Sequence, residues 1–250
     1  MIRPLQRLGL FAQFAMRALL AAARAVTRPS EFARQLYQIY AGALPLSAVA
    51  GIALGVVIWM HLHGVLVRFG PGNMGLLPQA LALAVVLELA PIGAGLIVAG
   101  RSGASLGAEL GSMRLTEQID ALEVLGVSPM AQLVGPRVLA CMVALPLLTV
   151  YIAALAIAGS FAAESLAGSM SWQQYWNESL RALRLEDIVP ATLKTAVFGY
   201  LIGVTGCYFG MNAEGGTEGV GKASTRAVVV SILLVLIADV FLVMAIQAAA

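Results

Sequence analysis

Residues 138–163 read VLACMVALPLLTVYIAALAIAGSFAA, without one Asp, Glu, Lys or Arg. About 20 consecutive apolar residues carry a helix across the hydrocarbon core of a bilayer, and this run exceeds that length. Working outward, the same uncharged character recurs over 35–67, 69–87 and 195–213. Across the 250 residues, 60% are hydrophobic and 11% charged, against about 25% charged in a soluble domain. Too few polar side chains remain to coat a water-soluble globule. The pattern predicts membrane helices near 44–66, 76–99, 136–162, 190–211 and 227–248.

Direction follows from the basic residues. Arg3, Arg7, Arg17, Arg24, Arg28 and Arg34 precede the first long apolar run, and Arg101, Arg114, Arg137, Lys222 and Arg226 fall on the same side of a five-span topology. The opposite side holds Arg68, Arg181 and Arg184. Positive charge marks the cytoplasmic face, so the N-terminus is expected inside. A net charge of +2 gives no field suited to nucleic acid. The arginine-studded N-terminus lacks the compact apolar core of a cleavable signal peptide.

At roughly 100° per residue, Arg3, Arg7, Arg17, Arg24 and Arg28 share one side of a helix over 1–28, with Leu5, Leu8, Leu19 and Val26 opposite. Such a helix suits a membrane surface, its arginines meeting anionic headgroups. Pro29 is expected to end it. Between the second and third spans, 101–135 is too charged to cross yet helical in pattern. Leu115, Ile119 and Leu122 share a face that Glu117, Asp120 and Glu123 avoid. Gly126 suits a left-handed C-cap, and Ser128-Pro129 the start of the next helix. That helix could lie on the membrane or dock into a soluble partner. Trp172, Tyr175 and Trp176, on the outer side, read as headgroup-level anchors.

Three short motifs fail on chemistry. Gly103-Ala104-Ser105-Leu106-Gly107 has the spacing of a serine-hydrolase elbow, but no strand precedes it and no His lies on its side of the membrane. Residues 216–223 nearly spell a phosphate-binding loop, with Ala223 where a Ser or Thr must ligate Mg²⁺. His61 and His63 have no Cys or acidic companion for a metal. Cys141 and Cys207, both in apolar runs, read as packing residues. No cofactor or catalytic set is expected. Glu88, Lys194 and Asp239 stand inside apolar spans, where a charge costs several kcal/mol unless paired or hydrated. They are candidates for a bundle-holding ion pair or for a polar patch that meets a substrate headgroup.

Residues 88–151, ELAPIGAGLIVAGRSGASLGAELGSMRLTEQIDALEVLGVSPMAQLVGPRVLACMVALPLLTVY, closely resemble the MlaE (YrbE) permeases. The order A-G-R-x-G, A-E-L-G, T-E-Q-I-D-A-L, G-V-x-P, P-R-x-x-A, L-P-L-L-T is kept without gaps. Weaker similarity continues at Pro29-Ser30-Glu31-Phe32, at RQLYQIY over 34–40 and at KASTRAVV over 222–229. The resemblance implies an all-α membrane protein, one permease domain over 1–250, with an interfacial amphipathic helix over 1–34 and a transmembrane bundle over 44–248. It implies a homodimer in the bacterial inner membrane that moves phospholipid or a related lipid. The partners implied are a cytoplasmic ABC ATPase, a periplasmic MCE-domain protein and, in some systems, a STAS-domain protein.

By the same resemblance Thr116, Glu117, Gln118, Asp120 and Glu123 belong to the ATPase-coupling helix. Glu88 falls in the family's R-E-L-G-P motif at the lipid cavity, with Lys194 and Asp239 at charged positions of spans four and five. Leu87 stands where that motif has Arg, and Ala90 where it has Gly. An ion-coupled secondary transporter using Glu88 or Asp239 is the alternative; five spans without an internal repeat fit it poorly. An intramembrane lipid enzyme would need a nucleophile–base pair or a metal, which the sequence does not offer.

Overall fold

Inside a bilayer each backbone amide must find its partner within its own segment, so long apolar runs fold as helices. The computed structural model describes residues 2–69, 75–167 and 170–249, and among these no strand occurs. The helices are α1 (Ile2–Ala25), α2 (Pro29–Phe69), α3 (Leu77–Ala84), α4 (Ala90–Val98), α5 (Ala104–Leu115), α6 (Gln118–Val124), α7 (Gly135–Ala167), α8 (Trp172–Ala182), α9 (Leu185–Met211) and α10 (Gly216–Ala249). π-helical turns at Val85–Leu89 and Ala99–Gly103 fall between α3, α4 and α5, and a third at Met130–Val134 leads into α7.

Among the described residues six stretches are long and apolar enough to cross a membrane: Leu8–Ala25, Pro29–Arg68, Leu77–Leu115, Met130–Leu166, Leu185–Met211 and Gly216–Ala248. The chain is therefore an all-α, multi-pass membrane protein. Five of these contain the expected spans. The sixth is the C-terminal part of α1, which meets the length and composition for crossing although its arginines also suit a surface.

Several boundaries differ from the sequence reading. Pro29 does not end the first helix: α1 stops at Ala25, and Pro29 opens α2, where its missing N–H loses no bond. Residues 29–34 thus belong to α2. The first span is the middle of a 41-residue helix, and the second runs on to Leu115. Hydropathy marks the hydrocarbon, whereas a helix continues beyond it wherever propensity allows.

The chain divides into two compact units, one of residues 1–43, 95–145 and 196–250, the other of 44–94 and 146–195. In the second, α2 and α7 touch backbone to backbone. A Cβ added at Gly55 would run into the Ala156 carbonyl, one at Gly51 would lie 2.9 Å from the Ile152 carbonyl, and one at Gly159 2.7 Å from that of Ile52. Small residues four apart permit this approach, which replaces the hydrophobic driving force that lipid removes. α8 lies against α3 through Gln79, which donates to Glu178 at 2.7 Å. Tyr175 is not a headgroup anchor. It is fully buried and donates to Ser160 Oγ at 2.9 Å, while Trp172 and Trp176 remain exposed and stack on each other.

In the first unit, Ala18 and Ala22 of α1 join Leu110, Ile119, Val134, Val138, Val204 and Cys207 in one core. Phe11 and Phe14 meet Tyr208 edge-on, and Tyr200 donates to the Ala15 carbonyl at 2.8 Å. So α1 has three faces rather than two. An alanine face packs on protein; Leu8, Leu19 and Val26 are exposed, as are Arg17, Arg24 and Arg28. The side chains of Arg3, Leu5 and Arg7 lie outside what the structure describes.

Candidate functional site

Glu88 sits in the π-helical turn Val85–Leu89. A π-turn inserts one residue into the helical register and is often found at functional sites. Across from it, in the same unit, α9 presents Lys194, whose ammonium donates to a Glu88 carboxylate oxygen at 2.8 Å. The Lys194 side chain is 2% exposed, that of Glu88 42%. The pair is therefore one-sided: a cation sealed in protein and an anion that stays accessible. Burying an unpaired ammonium costs several kcal/mol, so the contact with Glu88 lowers the cost of Lys194 at that depth. Glu88 and Lys194 are thus brought together. Asp239 is buried within α10 of the other unit.

The polar segment between the second and third spans is a helix break and not one continuous helix. Thr116 caps α5, its hydroxyl donating to the Ser112 carbonyl at 2.9 Å. Glu117 takes the left-handed conformation at φ 56°, unusual for a residue with a Cβ, and Gln118 begins α6. Leu115 accordingly leaves the face it was expected to share, while Ile119 stays buried in the core. α6 closes as read from the sequence: Gly126 has φ 72°, the Val127 amide reaches the Leu122 carbonyl, and the Gly126 amide that of Glu123. These are the two bonds of a Schellman cap. The Ser128 carbonyl then accepts from Ala131 and Gln132, with Pro129 in the first helical position.

Charges order this segment. Arg114 pairs with Asp120 across the break. Arg137, 5% exposed, donates to Glu109 at 2.7 Å and to the Leu133 carbonyl at 2.9 Å. Arg28 donates to Gln132. Arg17 and Glu123, assigned from the sequence to different elements, line one groove of about 350 Å³ with Arg114, Ile119 and Tyr208. Sequence reading missed the Glu109–Arg137 pair; the signal was a Glu and an Arg each at the polar end of an apolar span.

The rejected motifs fall into ordinary structure. Residues 103–107 are helical, as are 216–223 at the start of α10. His63 stacks on Trp59, whose indole N–H donates to the buried Glu164 at 2.7 Å, and His61 Nδ1 lies 2.8 Å from the Val57 carbonyl. No group of three metal-ligating side chains occurs among the described residues.

A model of the family Permease MlaE matches residues 32–245. The chain belongs to the MlaE permease family. Curated relatives agree. A "Probable ABC transporter permease protein" of Rickettsia typhi is 34% identical over 94% of this chain and 90% of its own length. The protein TRIGALACTOSYLDIACYLGLYCEROL 1, chloroplastic, of Arabidopsis thaliana is 42% identical over 64% of this chain and 45% of that one. A permease so named from Synechocystis is 38% identical over 65% and 62%. As an MlaE permease the chain is a transporter subunit, and Glu88 stands beside Leu87 and Ala90 in its second span.

Proposed function

We propose that this MlaE permease is the membrane subunit of an ATP-driven transporter that moves phospholipid, or a related lipid, between the bacterial inner membrane and a periplasmic MCE-domain protein. The single domain works as a homodimer with its N-terminus in the cytoplasm. A separate ABC ATPase supplies the energy, with a STAS-domain protein in some assemblies. One relative carries the name of a galactolipid, which supports a lipid cargo.

The observation that carries the reading is the one-sided pair at membrane depth. Lys194 is paired with Glu88, and the half-exposed Glu88 offers a polar contact inside an apolar surround. A lipid needs both: apolar walls for its tails and a few fixed charges for its headgroup. The ATPase docks on the Thr116–Val124 break, where Glu117, Gln118, Asp120 and Glu123 are all exposed or partly so. Closure of the ATPase shifts α5 and α6 and with them the affinity for lipid. The arginines of α1 hold that helix at the headgroups.

Lipid mass spectrometry of the purified complex tests the cargo. Co-purified phospholipid that falls on neutralising Glu88 supports the reading, and an unchanged lipid profile contradicts it.

A further inference from the structure

A second polar recess lies wholly within the unit that holds α1, apart from the features used above. It has a volume of about 650 Å³ and is lined by Gln35, Gln38 and Gly42 of α2 and by Arg101, Ser102 and Ser105 around the π-turn Ala99–Gly103. That volume falls within the range of small-molecule sites, about 300–1,000 Å³.

Three features make it a built site. Arg101 has five N–H donors, yet its one hydrogen bond among the described residues is a long one, 3.4 Å to the Gln38 carbonyl. Ser102 Oγ is buried and has no hydrogen-bond partner; such a hydroxyl is costly unless something satisfies it. Gln35, 3% exposed, brings a further buried amide to the wall. The guanidinium also rests directly over Gly42, where a Cβ would collide with it. The glycine is what leaves room for the cation.

The charge balance favours an anion. Glu109 at the rim is paired with Arg137 at 2.7 Å, which leaves Arg101 as the uncompensated charge among the lining residues. Depth favours a phosphate carried at the membrane boundary. Residues 35–42 are the first of the uncharged run 35–67, directly after Arg34, so this part of α2 stands where headgroups meet hydrocarbon. Ile39 and Leu106 add apolar lining, and exposed Tyr37 stands at the edge as interfacial aromatics do.

We infer that this recess binds a phosphate group through Arg101 and Ser102. The phosphate is supplied either by the headgroup of an anionic phospholipid in the adjacent leaflet or by free phosphate. On the proposed topology that leaflet is the cytoplasmic one. The site is read by binding alone, so its failure leaves the transport reading standing, and the reverse holds too.

The test uses the full chain in phosphatidylcholine nanodiscs with two probes. One is phosphatidylglycerol carrying a photoreactive group beside its glycerol; the other is inorganic phosphate followed by phosphorus line broadening. Crosslinks on peptides 35–42 and 101–106, reduced roughly tenfold in Arg101→Gln, establish the site with lipid as its source. Arg101-dependent broadening of inorganic phosphate without those crosslinks establishes it with the free ion as source. Gly42→Ala gives an independent check: it keeps every charge but displaces the guanidinium, and it should weaken the same probe. Wild type, Arg101→Gln and Gly42→Ala that behave alike toward both probes overturn the inference.

Discussion

Lys194 is sealed in protein while its partner Glu88, 2.8 Å away, keeps 42% of its side chain accessible. The asymmetry has a thermodynamic consequence that a symmetric pair would lack. Removing Glu88 takes a charged partner from a buried ammonium, whereas removing Lys194 leaves a carboxylate that water can reach.

Glu88→Ala is therefore expected to destabilise the protein, and Lys194→Met to do so by clearly less. The double variant should recover part of the loss, because the buried cation leaves together with its partner. Thermal unfolding in detergent measures all three. Equal losses in the two single variants would sink the one-sided description.

Gly55→Val should disrupt the contact between α2 and α7, since even a Cβ would run into the Ala156 carbonyl. Overpacking of this kind costs about 1–3 kcal/mol. A lower melting temperature and poorer recovery of folded protein are the readouts. Gly64→Val, on the same helix with open space around it, serves as the control and should leave both unchanged.

Glu117 carries a left-handed backbone, which costs a residue with a Cβ about 1–2 kcal/mol. Glu117→Gly should thus leave the fold unharmed or slightly more stable while weakening co-purification of the ATPase. Asp120→Lys should also weaken it, in part by breaking the exposed pair with Arg114. Adding Arg114→Glu should restore the local helix break. Undiminished ATPase capture in Glu117→Gly and Asp120→Lys would remove this segment from the interface.

Burial pushes the Tyr175 phenol up to about 12 from its ordinary 10, partly offset by its hydrogen bond with Ser160. Between those values the unfolded chain has lost a proton that the native chain keeps. Stability should therefore fall as pH climbs from about 10 toward 12 and stay level below that window. Tyr175→Phe should lose this slope, together with about 1 kcal/mol for the hydrogen bond at neutral pH. Melting temperatures across the alkaline range check both statements.

The membrane spans were legible because hydropathy is a local property: uncharged runs such as 138–163 could be nothing else. The cap at Gly126 was legible because the αL position favours Gly. Helix ends were not, since α2 and α5 continue through polar residues that helix propensity tolerates. The π-turns around Glu88 and Arg101 have no sequence signature. Tyr175 looked like an anchor by its neighbours Trp172 and Trp176, but its burial depends on α3 and Ser160, which are distant in the chain. Glu88 and Lys194 were each singled out by the cost of a lone charge in an apolar run. Their pairing across 106 residues required the fold.

The most direct test of the account is transfer of a fluorescent phospholipid from proteoliposomes containing this permease and its ATPase to an MCE-domain acceptor. The account predicts transfer that requires ATP and the ATPase, and that drops sharply in Glu88→Lys. Transfer sustained by a proton gradient without the ATPase, or ATP-driven transfer untouched by that substitution, would contradict it.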